Sequence, residues 1–319
     1  MKKIVLISAI IFGLAITFLI IKKRTASHNG FKIGILQTAS HPALDDVRDG
    51  FMTELKNKLG NEVEFVVQNA QGSVAQAHAI AQQFAAGSSF NGFFAIATPA
   101  AQAIGAVEKS KPIFIAAVTD PNALGLIHAT TNVCGTRDMI DVNAEVEMLT
   151  QLLPQAKTVG LLYTSGETNS IALVKIMHLE LEKRGLQVAD FAVSSEADMQ
   201  NMVELACRKV DVILAPTDNI VASTIALIVS ITLKNKKPFI VSDNKLVMFG
   251  ALAARGVDYQ ASGKQTAQIA YDVLVNGQKP FNLPIVQAAS EKVFINQATL
   301  QELELTLPTA LQAQKVELI

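Results

Sequence analysis

The sequence predicts an α/β protein built from two doubly wound parallel-sheet lobes, joined by a hinge and preceded by an N-terminal hydrophobic helix. Three observations predict this fold. Short continuous apolar runs alternate with amphipathic stretches in two successive series, which is typical of parallel strands covered by helices on both faces. The chain has 319 residues, half of them hydrophobic, which is enough for two cores. No linker rich in Pro, Gly or Ser separates the two series, so we expect the lobes to share a hinge.

Each series supplies the strands of one sheet. The first consists of residues 32–37, 63–68, 93–97 and 113–118, and the second of residues 158–163, 187–193, 211–215 and 238–241. Helical patterns lie between these strands at residues 44–59, 75–84, 171–184 and 221–233. Gly60 and Gly185 follow two of the helical stretches, where glycine is the preferred residue for ending a helix. Residues 137–142 are predicted to form an extended crossover.

Residues 1–30 are predicted to form a signal anchor, that is, an uncleaved transmembrane segment. Residues 4–21 are an uncharged run of eighteen, flanked by Lys2 and Lys3 on one side and by three basic residues, 22–24, on the other. A run of this length is near the lower limit for a helix that spans a bilayer and is long for the apolar part of a cleaved signal peptide. Cleavage near residues 25–27 is the alternative. Because positive charge lies at both ends, the positive-inside bias hardly decides the orientation.

The composition argues against nucleic acid, metal and cofactor binding. The formal net charge is −1 and no basic run dominates, whereas binding a phosphate backbone requires clustered Lys and Arg. Cys134 and Cys207 form no CxxC pair, and the five histidines show no metal-ligand spacing. We therefore expect no cofactor, no metal site, and two buried thiols that serve as small side chains.

The motifs that mark common enzyme classes are also missing from the sequence. No Gly-x-Gly-x-x-Gly follows the first predicted strand, and no Gly-x-Ser-x-Gly occurs. Residues 263–266, GKQT, resemble a phosphate-binding loop only superficially, because no glycine lies five residues earlier and threonine does not follow the lysine directly. No feature points to a hydrolase. The sequence therefore predicts that the protein is not an enzyme.

Polar residues follow the predicted strands where helices begin. In open parallel sheets, ligands bind beyond the carboxyl ends of the strands, where helix N-termini converge. Ser, Thr, Asp and Asn are also the residues that cap helix N-termini. For any one of these residues, helix capping is therefore as good an explanation as ligand contact. Thr98, which precedes a proline, also fits a helix-capping pattern. As a set, these residues suit an amino-acid zwitterion. Thr98 and Thr119 would donate to its carboxylate, and the counter-charge for its ammonium group would come from Glu167, Asp218 or Asp243.

Ordered blocks of sequence from residue 32 to the C-terminus resemble a known family. They include HPALDDVRDGF at 41–51, ATPAAQ at 97–102, AVTDP at 117–121 and PTDN at 216–219. These blocks resemble the ABC-transporter substrate-binding proteins of the tryptophan/tyrosine-uptake type, which have the type I periplasmic binding fold. The resemblance implies two lobes that close on a small ligand, often an aromatic amino acid, for delivery to an ABC permease and its ATPase.

The resemblance also implies the course of the chain and the residues of the site. A helix near residues 260–274 would return to the first lobe and the tail to the second. The N-terminal lobe would comprise residues 31–138 plus 258–282, and the C-terminal lobe residues 139–257 plus 283–319. The implied location is the periplasmic or extracytoplasmic face of the cell membrane. The ligand-binding residues carried over by position are Thr98, Thr119, Asn169, Ser170, Thr217, Asp218 and Asp243.

This sequence departs from the family pattern in two places. Cys134 stands where a small polar residue is expected, and the N-terminus has neither a lipobox nor a clean cleavage site, which favours an anchored protein over free periplasmic release. The ligand is less defined, because Tyr163, Tyr259 and Phe249 are each as well explained by core packing as by a ligand-facing wall. A branched aliphatic amino acid or another small solute stays open.

Alternative functions come from other classes of protein. A membrane-tethered ligand sensor would signal to a partner protein instead of feeding a transporter, although the sequence contains no cytoplasmic output domain. A repressor of the lactose-repressor type shares the fold but needs an N-terminal helix-turn-helix, and residues 1–30 are hydrophobic instead. The sequence therefore favours the binding component of an importer.

Overall fold

The structure is a computed structural model that describes residues 30–288, 292–312 and 316–319. The predicted signal anchor lies outside the described residues. Among the residues that are described, none of the helices combines the length and the apolar character needed to cross a bilayer.

The described residues form two sheets, one in each lobe. In the first lobe the strand order is β11-β5-β4-β3-β1-β2, and every pairing is parallel. The strands of this sheet are β1 (Phe31–Gln37), β2 (Val63–Asn69), β3 (Gly92–Ile96), β4 (Ile113–Val118), β5 (Val133–Arg137) and β11 (Val286–Gln287).

In the second lobe the strand order is β13-β12-β10-β9-β8-β6-β7, and β12 is antiparallel to β10 whereas the other pairings are parallel. The strands are β6 (Thr158–Thr164), β7 (Gln187–Val193), β8 (Val212–Ala215), β9 (Phe239–Val241), β10 (Ala253–Arg255), β12 (Val293–Ile295) and β13 (Val316–Leu318).

Helices cover both faces of each sheet. The first six along the chain are α1 (Pro42–Leu59), α2 (Val74–Ala86), α3 (Thr98–Val107), α4 (Val142–Leu152), α5 (Thr168–Lys183) and α6 (Met199–Lys209). The others are α7 (Asn219–Ser223), α8 (Ile225–Lys234), α9 (Asn244–Val247), α10 (Tyr259–Leu274), α11 (Gln297–Glu302) and α12 (Thr309–Gln312). Strand β1 shows the two-sided burial, because Ile33 and Ile35 belong to the core under α1 while Leu36 belongs to the core on the opposite face.

The predicted α/β architecture of two parallel-sheet lobes is confirmed, with one local difference. The helical pattern at 221–233 forms two helices, α7 and α8, that are separated at Thr224. The Thr224 hydroxyl donates a hydrogen bond to the Ile220 carbonyl oxygen at 2.7 Å, and such back-bonding bends or interrupts a helix. Gly60 and Gly185 adopt positive φ angles of 59° and 76° just beyond their helices, as predicted.

The chain passes between the lobes around residues 138, 256 and 288. Helix α10 returns to the first lobe, where it packs on α1, β4 and β5. The resemblance placed the last crossing at 282/283, but β11 pairs with β5 in the first sheet. The chain therefore leaves this sheet beyond Gln287. A two-residue strand carries too little pattern to be recognised in sequence.

Helices α1 and α10 pack very closely because two glycines lie at their contact. A Cβ atom on Gly50 would lie 2.5 Å from the carbonyl oxygen of Gln260, and one on Gly263 would collide with the carbonyl oxygen of Val47. Residues 263–266 thus belong to the interior of α10, where Gly263 serves helix packing. This location agrees with the expectation that they are not a phosphate-binding loop.

Candidate functional site

The carboxyl ends of the strands in the two sheets face each other across a narrow cleft. This is where parallel α/β sheets place their ligand sites. The first-lobe and hinge segments contribute His41, Leu44, Ala97, Ala117, Asp138 and Tyr259 to the lining, and the second lobe contributes Asn169, Pro216, Thr217, Asp218, Asn219, Ala222, Asp243 and Leu246.

Two alanines in the cleft have backbone conformations that are unusual for residues with a side chain. Ala97, directly after β3, has φ 74°, and Ala117, near the end of β4, has φ 55°. The pairing of β4 with β5 shifts register between Ile115 and Val118, so Ala117 lies in a bulge. Such backbone strain tends to occur at functional sites. Because alanine side chains are small, they take up little space at this side of the cleft.

Two buried carboxylates, Asp138 and Asp243, lie in the cleft. Burial raises the pKa of Asp138 to about 6, although its oxygens accept hydrogen bonds from the Thr119 hydroxyl at 3.2 Å and the Tyr259 phenol at 3.1 Å. Burial, followed by the nearby charge of Asp138, raises the pKa of Asp243 to about 7 despite a hydrogen bond from the Lys245 backbone N–H at 2.9 Å. A cation would stabilise both ionised carboxylates.

Asp138 and Tyr259 enter the cleft from the crossings between the lobes. Asp138 directly follows β5, in the predicted crossover, and Tyr259 begins α10. Of the three aromatic residues considered from the sequence, Tyr259 is the one that lines the cleft. Phe249 is 47% exposed and does not line it, and Tyr163 packs against the core of the second lobe.

The carboxylate of Asp218 is fully engaged by protein donors, although it lines the cleft. One oxygen accepts from the backbone N–H groups of Ile220 and Val221, which caps α7, and from the Thr164 hydroxyl. The other oxygen accepts from the Thr164 N–H at 2.6 Å and the Ser170 hydroxyl at 2.7 Å. The geometry therefore indicates that Asp218 and Ser170 organise the loops of the second lobe.

Glu167 is the second buried acid of this loop network. Its carboxyl group accepts hydrogen bonds from the backbone and side-chain N–H groups of Asn219 and from the side chain of Asn169. Burial and the adjacent charge of Asp218 raise its pKa to about 8. Glu167 is absent from the cleft lining, so its contacts point to a role in positioning Asn169 and Asn219.

The remaining residues predicted for the site take different positions. Asn169 and Thr217 line the cleft. The Asn169 side chain donates to the Thr217 carbonyl oxygen at 2.8 Å, and its Oδ1 atom is buried without a hydrogen bond from residues 30–288, 292–312 or 316–319. Thr119 does not line the cleft itself, but its hydroxyl donates a hydrogen bond to Asp138, which does. Thr98 is the first residue of α3, so its hydroxyl does not cap the helix. This hydroxyl is buried, one residue beyond Ala97, and has no hydrogen-bond partner among the residues that the structure describes.

Contacts outside the cleft lining also join the lobes. Lys245 forms an ion pair with Asp46 at 2.6 Å, and the Thr168 hydroxyl donates to the Gln102 side-chain oxygen at 3.1 Å. The ion pair is partly exposed, so it contributes at most about 1 kcal/mol. These contacts hold the lobes against each other, but none of their residues lines the cleft.

A family model described as ABC transporter substrate binding protein matches residues 32–319 of this chain. The match spans both lobes and every residue that lines the cleft.

Two similar proteins are named for their ligands. A tyrosine-binding protein of Clostridioides difficile (strain R20291) is 32% identical over 290 residues, which cover 89% of this chain and 84% of that protein. The structure of an ABC domain from Streptococcus pneumonia in complex with L-Trp is 33% identical and has a TM-score of 0.86, with 91% of this chain and 100% of that chain covered.

A third similar protein differs in the arrangement of its lobes. The ligand-free, open structure of a substrate-binding protein with adhesive properties from Clostridium difficile is also 33% identical, and 91% of this chain and 99% of that chain are covered. Its TM-score is nevertheless only 0.66. Because identity and coverage match those of the L-Trp complex, the difference in score indicates that the lobes of this chain are arranged as in the ligand-bound relative.

Proposed function

This chain belongs to the family of ABC transporter substrate-binding proteins, which is not an enzyme family, and on that premise we propose that its lobes close on a free α-amino acid with an aromatic side chain. The observation that carries the proposal is the pair of buried carboxylates, Asp138 from the hinge segment and Asp243 from the second lobe, in a cleft whose lining also includes six apolar residues. The names of two relatives support the aromatic class, because one binds tyrosine and the other was solved with L-Trp.

The ammonium group of the amino acid pairs with Asp138 and Asp243. Each carboxylate is buried, and their like charges disfavour simultaneous ionisation unless a cation lies between them. Asn169 adds an unpaired acceptor, its Oδ1 atom. An ammonium group donates three hydrogen bonds, so these three side chains together satisfy it.

The carboxylate group and the side chain of the amino acid use other parts of the cleft. A hydroxyl donor for the carboxylate group is supplied by Thr217, which lines the cleft. The aromatic ring packs against apolar residues of both lobes, namely Leu44, Ala97, Ala117, Pro216, Ala222 and Leu246. A ligand with differential contacts to both lobes stabilises the closed arrangement.

We place the protein at the extracytoplasmic face of the membrane, where it passes its ligand to an ABC permease driven by an ATPase. The family membership supports this placement. The test is uptake of the ligand by cells that contain or lack this chain. Unchanged uptake, together with retained binding, would favour the alternative of a ligand sensor that signals to a partner.

Thermal unfolding of the full-length chain with each of the twenty amino acids tests the ligand class. We expect Trp, Tyr or Phe to raise the melting temperature and the other amino acids to leave it unchanged. Binding to the native state adds about 2.7 kcal/mol at a hundredfold excess over Kd. A shift with Leu or Ile instead would replace the aromatic assignment by a branched aliphatic one, and no shift with any amino acid would overturn the proposal.

The affinity is expected to decrease as the pH falls from about 7 to about 5. With pKa values of about 6 and about 7, Asp138 and Asp243 take up protons in the free protein over this range, and the ammonium group requires the ionised forms. The expected loss is about tenfold if only Asp138 must ionise, and larger if both must. His41 stays neutral throughout, because burial lowers its pKa to about 4.

Calorimetry in buffers of different ionisation enthalpy measures the number of protons that the protein and ligand release or take up on binding. Release of protons on binding near pH 6 is expected. Proton uptake, or an affinity that is constant between pH 5 and pH 8, would contradict the assignment of the ammonium site to these two carboxylates.

A further inference from the structure

The imidazole of His41 has a nitrogen atom that no group of the described residues uses. His41 precedes α1, lines the cleft and is only 7% exposed. Its Nε2 atom lies 3.4 Å from Oδ1 of Asn219 across the lobe interface. Its Nδ1 atom is buried and has no hydrogen-bond partner in the part of the chain that the structure describes. An unpaired buried polar atom is unfavourable unless a ligand satisfies it.

The hydrogen-bond network determines what this nitrogen can do. The side-chain N–H of Asn219 donates to Glu167, which leaves Oδ1 of Asn219 as an acceptor facing His41. Nε2 of His41 must therefore carry the proton, and Nδ1 is then an acceptor. Burial lowers the pKa of His41 to about 4, so the ring is neutral near pH 7 and the lone pair on Nδ1 is free.

The strand order places this acceptor far from the carboxylates. Asp138 follows β5 and His41 lies beyond β1, and the strands between them are β4 and β3. Three strand spacings separate the two positions by roughly 14 Å. After one hydrogen bond of about 3 Å at each end, the distance that remains is comparable with that from the ammonium nitrogen of tyrosine to its phenol oxygen; in tryptophan the indole nitrogen lies closer to the ammonium nitrogen.

The wall between these two positions suits a flat ring. Ala97 follows β3 and Ala117 lies near the end of β4, so the two alanines lie between Asp138 and His41 along the sheet edge. Leu44, in the first turn of α1, adds an apolar side chain to the same lining as His41.

We infer that His41 is a specificity-determining residue, whose Nδ1 atom accepts a hydrogen bond from a donor at the end of the ligand's aromatic side chain. The donor is the phenol O–H of tyrosine or the indole N–H of tryptophan; phenylalanine has neither and leaves Nδ1 unpaired. The inference rests on the proposed function, since it assumes that the α-amino acid binds with its ammonium group at Asp138 and Asp243.

The test measures Kd for Tyr, Trp and Phe with full-length wild-type protein and two variants. His41→Gln keeps an amide N–H near the position of Nε2, for Asn219, but has no acceptor at the position of Nδ1. His41→Asn places a carbonyl oxygen near Nδ1 but cannot reach Asn219. Asp46→Asn, which breaks the ion pair between the lobes, is the matched control because it alters closure without touching the cleft.

We expect the wild type to prefer Tyr or Trp over Phe by about ten- to a hundredfold, the range set by leaving one buried polar atom unpaired. His41→Gln should reduce this preference to less than about threefold while Phe binds nearly as before. His41→Asn should keep a larger part of the preference, and Asp46→Asn should weaken all three ligands by the same factor.

The outcomes separate the inference from the proposed function. Equal binding of Tyr, Trp and Phe to the wild type would overturn the inference and leave the proposed function intact. If His41→Gln lost affinity for Phe and for Tyr by the same factor, the inference would be overturned, because His41 would then contact the ammonium group or act only through lobe closure. Binding of none of the three would overturn the proposed function itself.

Discussion

Asp138→Asn is expected to lower the affinity for the aromatic amino acid about a hundredfold or more and, at the same time, to stabilise the free protein. The affinity falls because the ligand's ammonium group loses a buried carboxylate partner, a change that typically weakens binding by 2–5 kcal/mol or so. The free protein gains because burial raises the pKa of Asp138 to about 6, which shows that the buried charge is unfavourable without a cation.

The gain in stability has a defined dependence on pH. When folding raises the pKa of a carboxyl group, the free energy of unfolding decreases as the pH rises from the pKa in the unfolded chain, near 4, through the pKa in the folded protein. The Asn variant lacks this loss. Its advantage over the wild type should therefore be about 1–3 kcal/mol at pH 8 and should vanish near pH 4.

The measurements are Kd by calorimetry and the free energy of unfolding at pH 4 and pH 8. Asp211→Asn is the control, because Asp211 accepts hydrogen bonds from the backbone N–H groups of Lys157 and Thr158, which hold its pKa below the usual value. That variant should lose stability and keep its affinity. If Asp138→Asn binds normally, the carboxylate does not contact the ammonium group.

Gly263→Ala is expected to destabilise the protein by about 3 kcal/mol, the opposite sign to that expected for an ordinary helix. Alanine in a helix interior is normally favoured over glycine by about 1 kcal/mol. Here the added methyl group would collide with the carbonyl oxygen of Val47 and lie 3.0 Å from the backbone nitrogen of Phe51 in α1. Backbone atoms cannot rotate aside, so α1 and α10 must separate and lose packing.

Denaturant unfolding measures this change. Gly105→Ala in α3 is the matched control, because its methyl group would meet only the end of the Leu126 side chain, which can move. A change within about 1 kcal/mol is expected there. Because α10 begins at Tyr259 in the cleft, Gly263→Ala should also weaken ligand binding. An unchanged or increased stability would mean that the two helices are not in close backbone contact.

Local patterns predicted the fold well. The predicted strands at 113–118 and 187–193 have the same bounds in β4 and β7. Strand β4 is buried along its whole length and its sequence is therefore a continuous apolar run, whereas β7 is a partly exposed strand at the edge of its sheet. Gly60 and Gly185 marked helix ends, since their backbone angles favour glycine wherever the helix packs. The break at Thr224 depends on one side-chain hydrogen bond, and apolar periodicity does not register such a bond.

The site was predicted only in part. Asn169, Thr217 and Asp243 line the cleft as the site prediction requires, and their ligand roles stay predictions. Asp218 also lines it, but five protein donors fill its carboxylate. The sequence could not separate these cases, because the same residue types cap helices and bind ligands.

By itself, the sequence determined the class of fold, the two-lobed organisation and the family, since these follow from the order of apolar runs, helices and polar blocks along the chain. Only the tertiary structure decided which polar atoms lack protein partners. Asp138, His41 and Tyr259 meet in one cleft because the chain crosses between two sheets, and the sheets bring the carboxyl ends of distant strands together. Whether a buried polar atom is satisfied depends on neighbours far away in sequence, so the placement of the site emerges only when both lobes are folded against each other.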